Sequence, residues 1–496
     1  MKTAKQTNVT LVTIAIFVAT FLTAVEGTIV STAMPTIVGD LHGVNLMNWI
    51  VSIYLLTNAV ATPIYGKLAD IFGRKRIFII GILIFILGST LSGTANSMPT
   101  LIGWRALQGV GAGCIMPVAN TIIADIYPFE KRARVMGFNG AAWGIAAIVA
   151  PLLGGFIVDQ LTWHWVFFIN IPIGLLTVVM IALYLHEQPH TVATQIDYLG
   201  TLWLTLALLS LMYGFQVLGE THFTWETVET CFAVTVVAIF LFVRRERKAA
   251  DPIISLKLFK NRTFITQNLA TMLVSGFLIG FEVYIPTWTQ GLLGLPASLA
   301  GFAVTPSSVM WIVGSFLAGK FILKLTPKQT LMISLSILLV GSLWLSLLPQ
   351  TTPFWLFFVI STILGVGFGI TITSTTVTSQ RLVANKDMGV ATSFNTLART
   401  LGQTIMMSVF GIIMNGTMNA GLAQHAHLNL GMMNKLINPQ TASSLPAKWL
   451  PALRTILYQA LHNIYLAGVC LIILAIIINL GDYRKSRSPK HTDSIL

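Results

Sequence analysis

Long apolar segments follow one another along almost the whole chain. A helix needs about 20 apolar residues to cross the hydrocarbon core of a bilayer. Runs of that length, bounded by charged residues, Pro or Gly, predict about fourteen membrane-spanning helices. The predicted segments are 9–34, 49–69, 77–97, 100–126, 135–158, 165–186, 197–218, 228–243, 263–289, 297–323, 329–348, 354–378, 389–415 and 456–480. The sequence therefore predicts an all-α polytopic membrane protein.

Composition excludes an ordinary soluble enzyme. Of the 496 residues, 55% are hydrophobic and only 9% are charged, whereas soluble proteins carry about 25% charged residues. The formal net charge of +13 would suit a nucleic-acid partner in a soluble protein. In a membrane protein it has another origin, because cytoplasmic loops retain Lys and Arg. The positions of the charges decide between these two explanations.

Basic residues mark one side of the predicted membrane protein. The chain has 30 Lys and Arg, and nearly all lie in the two tails, in alternate loops or at the adjoining helix ends. Both termini are therefore predicted to be cytoplasmic, the lipid bilayer is the expected surface partner, and nucleic acid is not. The first segment lacks the small-residue cleavage pattern of a signal peptide, so it is expected to be retained. The exceptions are Lys435, Lys448, Arg454, Arg105 and Arg399.

The longest loop, about residues 416–455, is predicted to lie on the outer side. Its apolar side chains, among them Leu436 and Ile437, would be exposed in a disordered segment, so a partly helical cap is predicted. His425 and His427 have no third ligand nearby, and the three cysteines are far apart in sequence. We predict neither a metal site nor a disulfide.

Two short patterns repeat along the chain. The Gly-Lys-Leu at 66–68 returns as Gly-Lys-Phe at 319–321, and the segment 135–138 returns at 387–390. Both repeats are separated by roughly 250 residues, which indicates two related halves. Two pseudo-symmetric bundles that rock about a central site are the architecture of an alternating-access transporter.

This repeat suggests a division of the chain into three parts. We predict an N-terminal six-helix bundle at 1–190, an inserted helix pair with a cytoplasmic linker at 191–262, and a C-terminal six-helix bundle at 263–496. The long outer loop belongs to the last of these. The fourteen helices are thus predicted to form two bundles of six and one inserted pair.

A turn on the predicted cytoplasmic side combines glycines with opposite charges. Residues 66–76 read Gly-Lys-Leu-Ala-Asp-Ile-Phe-Gly-Arg-Lys-Arg. Gly66 permits close helix approach, Asp70 ends a helix beside Arg74, and Gly73 makes a sharp turn possible. The segment resembles the loop signature of the major facilitator superfamily. That resemblance implies a charge relay between Asp70 and Arg74 that latches the cytoplasmic side; stop-transfer charges alone would explain only the basic residues.

The fifth predicted helix is rich in small residues. Gly140 and Gly144, four residues apart, and the pair Gly154 and Gly155 allow backbones to touch, while Pro151 removes an internal hydrogen bond. Taken alone, these residues predict only a bent and tightly packed helix. The pattern also resembles the signature that marks antiporters within the superfamily.

Two further segments resemble the fourteen-helix drug:proton antiporter branch. The segment 163–174 resembles the entry to the sixth helix of that branch, with His164 where the branch usually has arginine. The segment 24–35 matches its first-helix motif, with Glu26 where aspartate is more common. The resemblance covers nearly the whole chain and implies a major facilitator fold.

Three charged side chains inside predicted helices are the candidate coupling residues. Arg105 must find an acceptor, because a buried arginine costs about 2.5 kcal/mol or more, and the family pattern associates it with proton movement. Glu26 and Glu282 are the carboxylates well inside predicted helices. Either could hold a proton near neutral pH or could permanently neutralise an arginine. Their depths make a pair between Glu26 and Arg105 geometrically possible.

These features predict a proton-driven exporter of amphipathic, cationic drugs or dyes in a bacterial plasma membrane. It is expected to act as a monomer, with the proton gradient as its energy source and without a cofactor. Aromatic and amide side chains suit the cavity wall for lipophilic cations, although each could equally serve helix packing. The predicted cavity residues are Tyr54, Asn58, Asn120, Asn139, Trp143, Tyr284, Trp288, Gln290, Asn395 and Gln403.

Two other functions remain open from the residues. The same fold could export a lipid or fatty acid, or import a nutrient by symport, and Arg105 and Arg399 leave an anionic substrate possible. A membrane enzyme or receptor is the other class. The sequence has no His-Glu-x-x-His pattern, nucleophile elbow or phosphate loop, so we predict a protein that is not an enzyme.

Overall fold

The structure is a computed structural model, and it describes residues 7–187, 197–218, 224–248, 256–383, 388–425 and 427–482. Within these ranges, side-chain statements exclude a few positions, most of them between 63 and 71 and between 129 and 147. The described chain is built from α-helices and short 3-10 turns.

Seventeen α-helices are present in the described ranges. The first bundle contains α1 (Val9–Asp40), α2 (Met47–Phe72), α3 (Arg74–Ser92), α4 (Met98–Ile126), α5 (Phe129–Gln160), α6 (Trp165–Phe168) and α7 (Asn170–Tyr184). The inserted pair is α8 (Tyr198–Leu218) and α9 (Trp225–Glu246). The second bundle contains α10 (Arg262–Gly291), α11 (Ala297–Lys324), α12 (Pro327–Ser346), α13 (Trp355–Arg381), α14 (Met388–Ala423), α15 (Leu430–Ile437), α16 (Pro439–Ala442) and α17 (Leu450–Leu480).

The predicted all-helical membrane architecture is confirmed. Among the described residues, 12 helices are long and apolar enough to cross a membrane. Shorter apolar stretches lie at Ile148–Gln160 in α5 and at Leu199–Phe215 in α8. The predicted fourteen crossings are compatible with this arrangement, and the three-part division of the chain stays a prediction.

Several helix ends differ from the predicted ones. Pro35 was expected to end the first helix, but α1 continues through it to Asp40. Proline is tolerated inside a membrane helix because groups on neighbouring helices can satisfy the carbonyl that loses its hydrogen bond. The outer loop is shorter than predicted, because α14 extends to Ala423 and α17 already begins at Leu450. Its predicted helical character is confirmed by α15 and α16.

Glycines inside the spans allow close contact between helix backbones. A Cβ atom on Gly113 of α4 would lie 2.7 Å from the Asn58 carbonyl oxygen of α2, and one on Gly365 of α13 would lie 2.6 Å from the Ser307 Cα of α11. Both glycine-rich segments lie within helices. These contacts show that both segments serve helix packing.

Two seams join the bundles on opposite sides of the pair α1 and α10. At the first seam, α5 packs directly against α11; at the second, α2 packs against α14, and the α8–α9 hairpin covers that contact from outside. We call these the tight seam (α5–α11) and the covered seam (α2–α14 with α8–α9). These two seams are the main contacts between the bundles on either side of α1 and α10.

A helical cap covers the end of the molecule that the charge distribution predicts to be extracellular, which we call the outer end. Met433, Leu436 and Ile437 of α15 are buried in the same apolar cluster as α1 and α10. The Val44 amide donates to Asn434 Oδ1 at 2.8 Å. The second bundle's loop is thus anchored on the first bundle.

Candidate functional site

The structure brings Glu26 and Arg105 together inside the first bundle. Glu26 lies in α1 and is fully buried; Arg105 lies in α4 and is 2% exposed. Arg105 Nη1 forms an ion pair with Glu26 Oε1 and donates to Gln108 Oε1 at 2.7 Å. The Tyr54 ring also packs over the guanidinium group, and its centroid is 4.2 Å from Arg105 Cζ. The positive charge of Arg105 is therefore stabilised by the Glu26 carboxylate, the Gln108 amide oxygen and the Tyr54 ring.

Other polar groups complete the same cage. Asn170 Nδ2 donates to Glu26 Oε2 at 2.6 Å and to Ser89 Oγ at 2.9 Å, and Arg105 Nε donates to the Ile50 carbonyl at 3.2 Å. Buried polar groups cost free energy unless they are hydrogen-bonded, and this carboxylate uses both oxygens. Sequence reasoning did not place Asn170 or Ser89 in the site. The signal for Asn170 was its position in the family-like segment 163–174.

Glu282 occupies a different environment in the second bundle. It lies in the middle of α10 and is partly exposed, whereas its neighbours on either side, Phe281 and Val283, are fully buried. Its charge interacts with that of Arg399 in α14. The two predicted carboxylates therefore differ: Glu26 is sealed in a hydrogen-bonded cage, and Glu282 is partly exposed and interacts electrostatically with Arg399.

Three predicted cavity residues lie instead in the closed outer end. Tyr284 and Trp288 are fully buried, and Gln290 is 1% exposed. The Tyr284 hydroxyl donates to Asn48 Oδ1 of α2, and Gln290 Nε2 donates to the Thr32 carbonyl of α1 at 3.1 Å. In this conformation Tyr284 and Gln290 join the two bundles, whereas Trp288 packs against aromatic rings of the second bundle.

The remaining predicted cavity residues fall into four groups. Asn58, Asn120 and Gln403 are partly exposed, as cavity-lining residues need to be, and Tyr54 packs on Arg105 as described above. Asn395 is buried in a network among α10, α13 and α14: its Nδ2 donates to Asn268 Oδ1 at 3.0 Å, and its Oδ1 accepts from Thr376 at 2.8 Å. The side chains of Asn139 and Trp143 lie outside the described part.

The cytoplasmic turn contains a charge pair that the sequence did not predict. Gly73 has φ of 92°, a conformation that favours glycine, and so confirms the predicted sharp turn. Arg74 forms an ion pair with Asp125 of α4, a residue that the sequence analysis did not single out. The Asp70 side chain lies outside the described part, so its relay with Arg74 stays a prediction. A Cβ on Gly66 would meet no described atom within 4 Å, and close helix approach at Gly66 stays a prediction.

The antiporter-like helix α5 forms the tight seam. A Cβ on Gly155 would lie 2.7 Å from the Ser298 nitrogen of α11, and one on Gly154 would lie 2.8 Å from Ile29 Cγ1 of α1. The backbone of Pro151 contacts Gly301. Backbone contact through Gly155 is thus confirmed. The surroundings of Gly140 and Gly144 lie outside the described part, so their role in packing stays a prediction.

Polar groups close the outer end of the tight seam. The Asp159 carboxylate accepts hydrogen bonds from the backbone amides of Ala297 (3.1 Å) and Ser298 (2.9 Å), which begin α11. Nearby, Trp163 Nε1 donates to Asp40 Oδ2 at 2.8 Å and stacks on the His164 ring. Burial lowers the pKa of His164, and the Asp40 charge opposes this shift. A histidine at this position is therefore neutral at neutral pH.

The fold and these charges define an all-helical membrane protein of two bundles, each of which holds ionisable groups within its membrane-spanning helices. Residues 16–407 match the family described as Major Facilitator Superfamily. The chain therefore belongs to the major facilitator superfamily of membrane transporters, whose members act on small molecules in the bilayer.

Similar proteins extend this membership over the full chain. The chain is 34% identical over 493 residues to Multidrug resistance protein 3 of Bacillus subtilis (strain 168), with 95% of each chain covered. It is 32% identical over 508 residues to the multidrug transporter protein MdtP of the same organism, covering 97% of this chain and 94% of that one. The multidrug efflux pump SdrM of Staphylococcus aureus (strain N315) is 31% identical over 405 residues, covering 81% and 88%.

Solved structures share the fold at much lower identity. A bacterial homologue of the human lysosomal transporter Spinster, in an inward-facing and occupied conformation, superposes with a TM-score of 0.63 at 18% identity and covers 95% of this chain and 96% of that one. The D-xylose–proton symporter has a TM-score of 0.62 at 14% identity, covering 89% and 97%. These likenesses establish the shared fold alone.

Proposed function

We propose that this protein is a proton-coupled antiporter that exports amphipathic cationic drugs or dyes by alternating access. It works as a monomer in a bacterial plasma membrane, with both termini cytoplasmic and the proton gradient as its energy source. The observation that carries the proposal is the contrast between a sealed Glu26–Arg105 pair and a partly exposed Glu282 in a chain related to multidrug transporters.

Accessibility divides the roles of the two carboxylates. A group that exchanges a proton for a cation in every cycle must be reached by both, and partly exposed Glu282 meets that need. Its carboxylate binds either the cationic substrate or a proton, and Arg399 keeps the unoccupied carboxylate compensated. Competition for one negative charge makes the exchange obligatory.

Glu26 couples protonation to conformation. In the closed outer end its carboxylate holds Arg105 and Asn170 in fixed positions. When the outer end opens, a proton that reaches Glu26 removes its negative charge, Arg105 loses its strongest partner, and the packing of α1 against α4 changes. A ligand shifts such an equilibrium only by its differential affinity for the two states, and here the proton supplies that difference.

The decisive measurement is the pH dependence of binding in purified variants. We expect Glu282→Gln to abolish the pH dependence of binding of ethidium, a lipophilic cation, and we expect Glu26→Gln to retain it. Both variants should lose proton-driven ethidium transport in inverted vesicles. Glu226→Gln, which changes an exposed acid in the first turn of α9, is the matched control and should transport normally.

Folding is controlled separately, because removing one partner of a buried ion pair costs about 3–5 kcal/mol. The double variant Glu26→Gln/Arg105→Gln removes both charges and should elute as a monodisperse protein. Full proton-coupled transport by either single carboxylate variant would contradict the proposal. Loss of the gene could instead change lipid composition or growth on a nutrient and leave drug susceptibility unchanged. That result would favour the alternative lipid or nutrient substrates.

A further inference from the structure

A cavity lies inside the covered seam, between both bundles and the inserted hairpin. Its volume is about 400 Å³, and its walls come from α2, α8, α9 and α14. Ligand sites in proteins commonly have volumes of about 300–1,000 Å³, and a single water occupies about 30 Å³ of liquid. The cavity is therefore large enough to hold a molecular segment rather than isolated waters.

The walls of the cavity are apolar. None of the described residues that line it is charged. Three of the hydroxyl groups among them donate to carbonyls of their own helices: Ser210 Oγ to Leu206 at 2.7 Å, Thr230 Oγ1 to Glu226 at 2.7 Å, and Thr404 Oγ1 to Thr400 at 2.8 Å. These hydroxyls do not need a polar guest, so the cavity suits a hydrocarbon occupant.

The cavity is continuous with the surface that faces the bilayer. Leu206, Leu209 and Tyr213 of α8 line it and are also 37%, 38% and 49% exposed. Trp49, near the outer end of α2, lies with its ring centroid 6.4 Å from that of Tyr213, an arrangement expected at a membrane interface. A guest can therefore enter sideways from the lipid, and the guest present there at highest concentration is a lipid tail.

We propose that this cavity is a lipid site that takes one acyl chain of a bilayer phospholipid from the predicted outer leaflet. The headgroup stays outside, near Trp49 and Tyr213, because the walls offer no partner for its charge. The site is separate from Glu26 and Glu282 and does not depend on the proposed transport cycle.

Photolabelling tests this proposal directly. The full chain is placed in nanodiscs of phosphatidylglycerol and phosphatidylethanolamine that contain phosphatidylglycerol with a diazirine in one acyl chain. Met212 lines the cavity but is only 2% exposed, so lipids on the outer surface cannot label it. We expect Met212 to be labelled in the unmodified protein.

Two substitutions on α9 provide a matched comparison. Val234→Trp fills the cavity, whereas Val236→Trp makes the same change on the lipid-facing side, where Val236 is 67% exposed. We expect Val234→Trp to reduce Met212 labelling about tenfold, the effect of about 1.4 kcal/mol. Val236→Trp should leave it unchanged. If Val234→Trp does not give a monodisperse protein, Ile53→Phe fills the cavity from α2 instead.

Three results would overturn the proposal. Met212 could remain unlabelled, or the filling and control variants could be labelled equally, which would mean surface lipid only. Alternatively, tetraphenylphosphonium, a lipophilic cation, could displace the label competitively, which would assign the cavity to transported compounds. Labelling that depends on Val234 and resists tetraphenylphosphonium supports the lipid site.

Discussion

The two seams between the bundles are built in opposite ways. In the tight seam, Gly155 and Gly301 bring the backbones of α5 and α11 into contact, and Asp159 caps α11 across the boundary. In the covered seam, side chains of α2, α14 and the inserted hairpin surround a cavity of about 400 Å³. A backbone contact tolerates little change in shape, whereas side chains around a cavity can repack. The inserted pair thus covers the seam that is less well filled.

The strongest test of this comparison is overpacking the tight seam. A Cβ on Gly301 would lie 2.7 Å from the Pro151 carbonyl carbon, so Gly301→Val forces α5 and α11 apart. We expect a loss of about 3 kcal/mol, measured as a lower unfolding temperature in detergent, together with loss of transport. Gly319→Val in the same helix is the control, because a Cβ there would meet no described atom within 4 Å. Equal unfolding temperatures for the two variants would refute the role of backbone contact.

A buried hydrogen bond between α2 and α10 should have the next largest effect. Tyr284→Phe removes the donor to Asn48 Oδ1 and leaves this buried oxygen without that bond. We expect a loss of about 2 kcal/mol in thermal unfolding. Tyr458→Phe removes a hydroxyl that donates to Leu348 within the second bundle at 3.0 Å and is the matched control. A larger effect from the control would show that contacts between the bundles contribute less than contacts within one.

Asp159→Asn tests the polar closure of the tight seam. The amide can accept only with one oxygen and has no charge, so one of the two bonds to the start of α11 is lost. We expect a shift of about fivefold toward the open outer end, equivalent to about 1 kcal/mol. Electron–electron resonance distances between spin labels at Leu161 and Leu299 would measure it. Asp40→Asn, which affects a bond within the first bundle, should leave that distance distribution unchanged.

The smallest expected effect concerns His164 at the outer end. Because burial lowers its pKa, the unfolded chain binds a proton more readily than the folded protein below the ordinary value of about 6.5. Stability should therefore fall as the pH drops from 7 to 5. The unfolding temperature of His164→Gln should fall less over this interval than that of the unmodified protein. An identical pH dependence in the two proteins would show that His164 does not contribute to the loss of stability at low pH.

Much of the architecture could be predicted from the sequence because a membrane restricts backbone choices. Apolar runs of spanning length must be helices, and the turn at Gly73 and the backbone contact at Gly155 follow from local chemistry. The pairing of Glu26 with Arg105 could be anticipated because a buried arginine needs an acceptor. The domain limits and the functional roles of these residues are still predictions.

Other features depended on how helices rotate against one another. No periodicity in the sequence indicates that Arg74 faces Asp125, that Asn170 completes the Glu26 cage, or that Asn395 lies in a network rather than on a cavity wall. Each of these contacts joins two different helices. Residue type indicated that a partner was needed, but not which one.

The sequence by itself determined that this chain is a multi-pass helical membrane protein of the major facilitator superfamily with a few charges inside the membrane. The hydrocarbon core imposes the helical architecture, because it admits only apolar segments whose backbone hydrogen bonds are satisfied internally. Only the tertiary structure decided that one carboxylate is sealed and the other partly exposed, and that one seam is tight whereas the other contains a cavity. Burial and cavities arise from the packing of several helices at once, and no single segment contains that information.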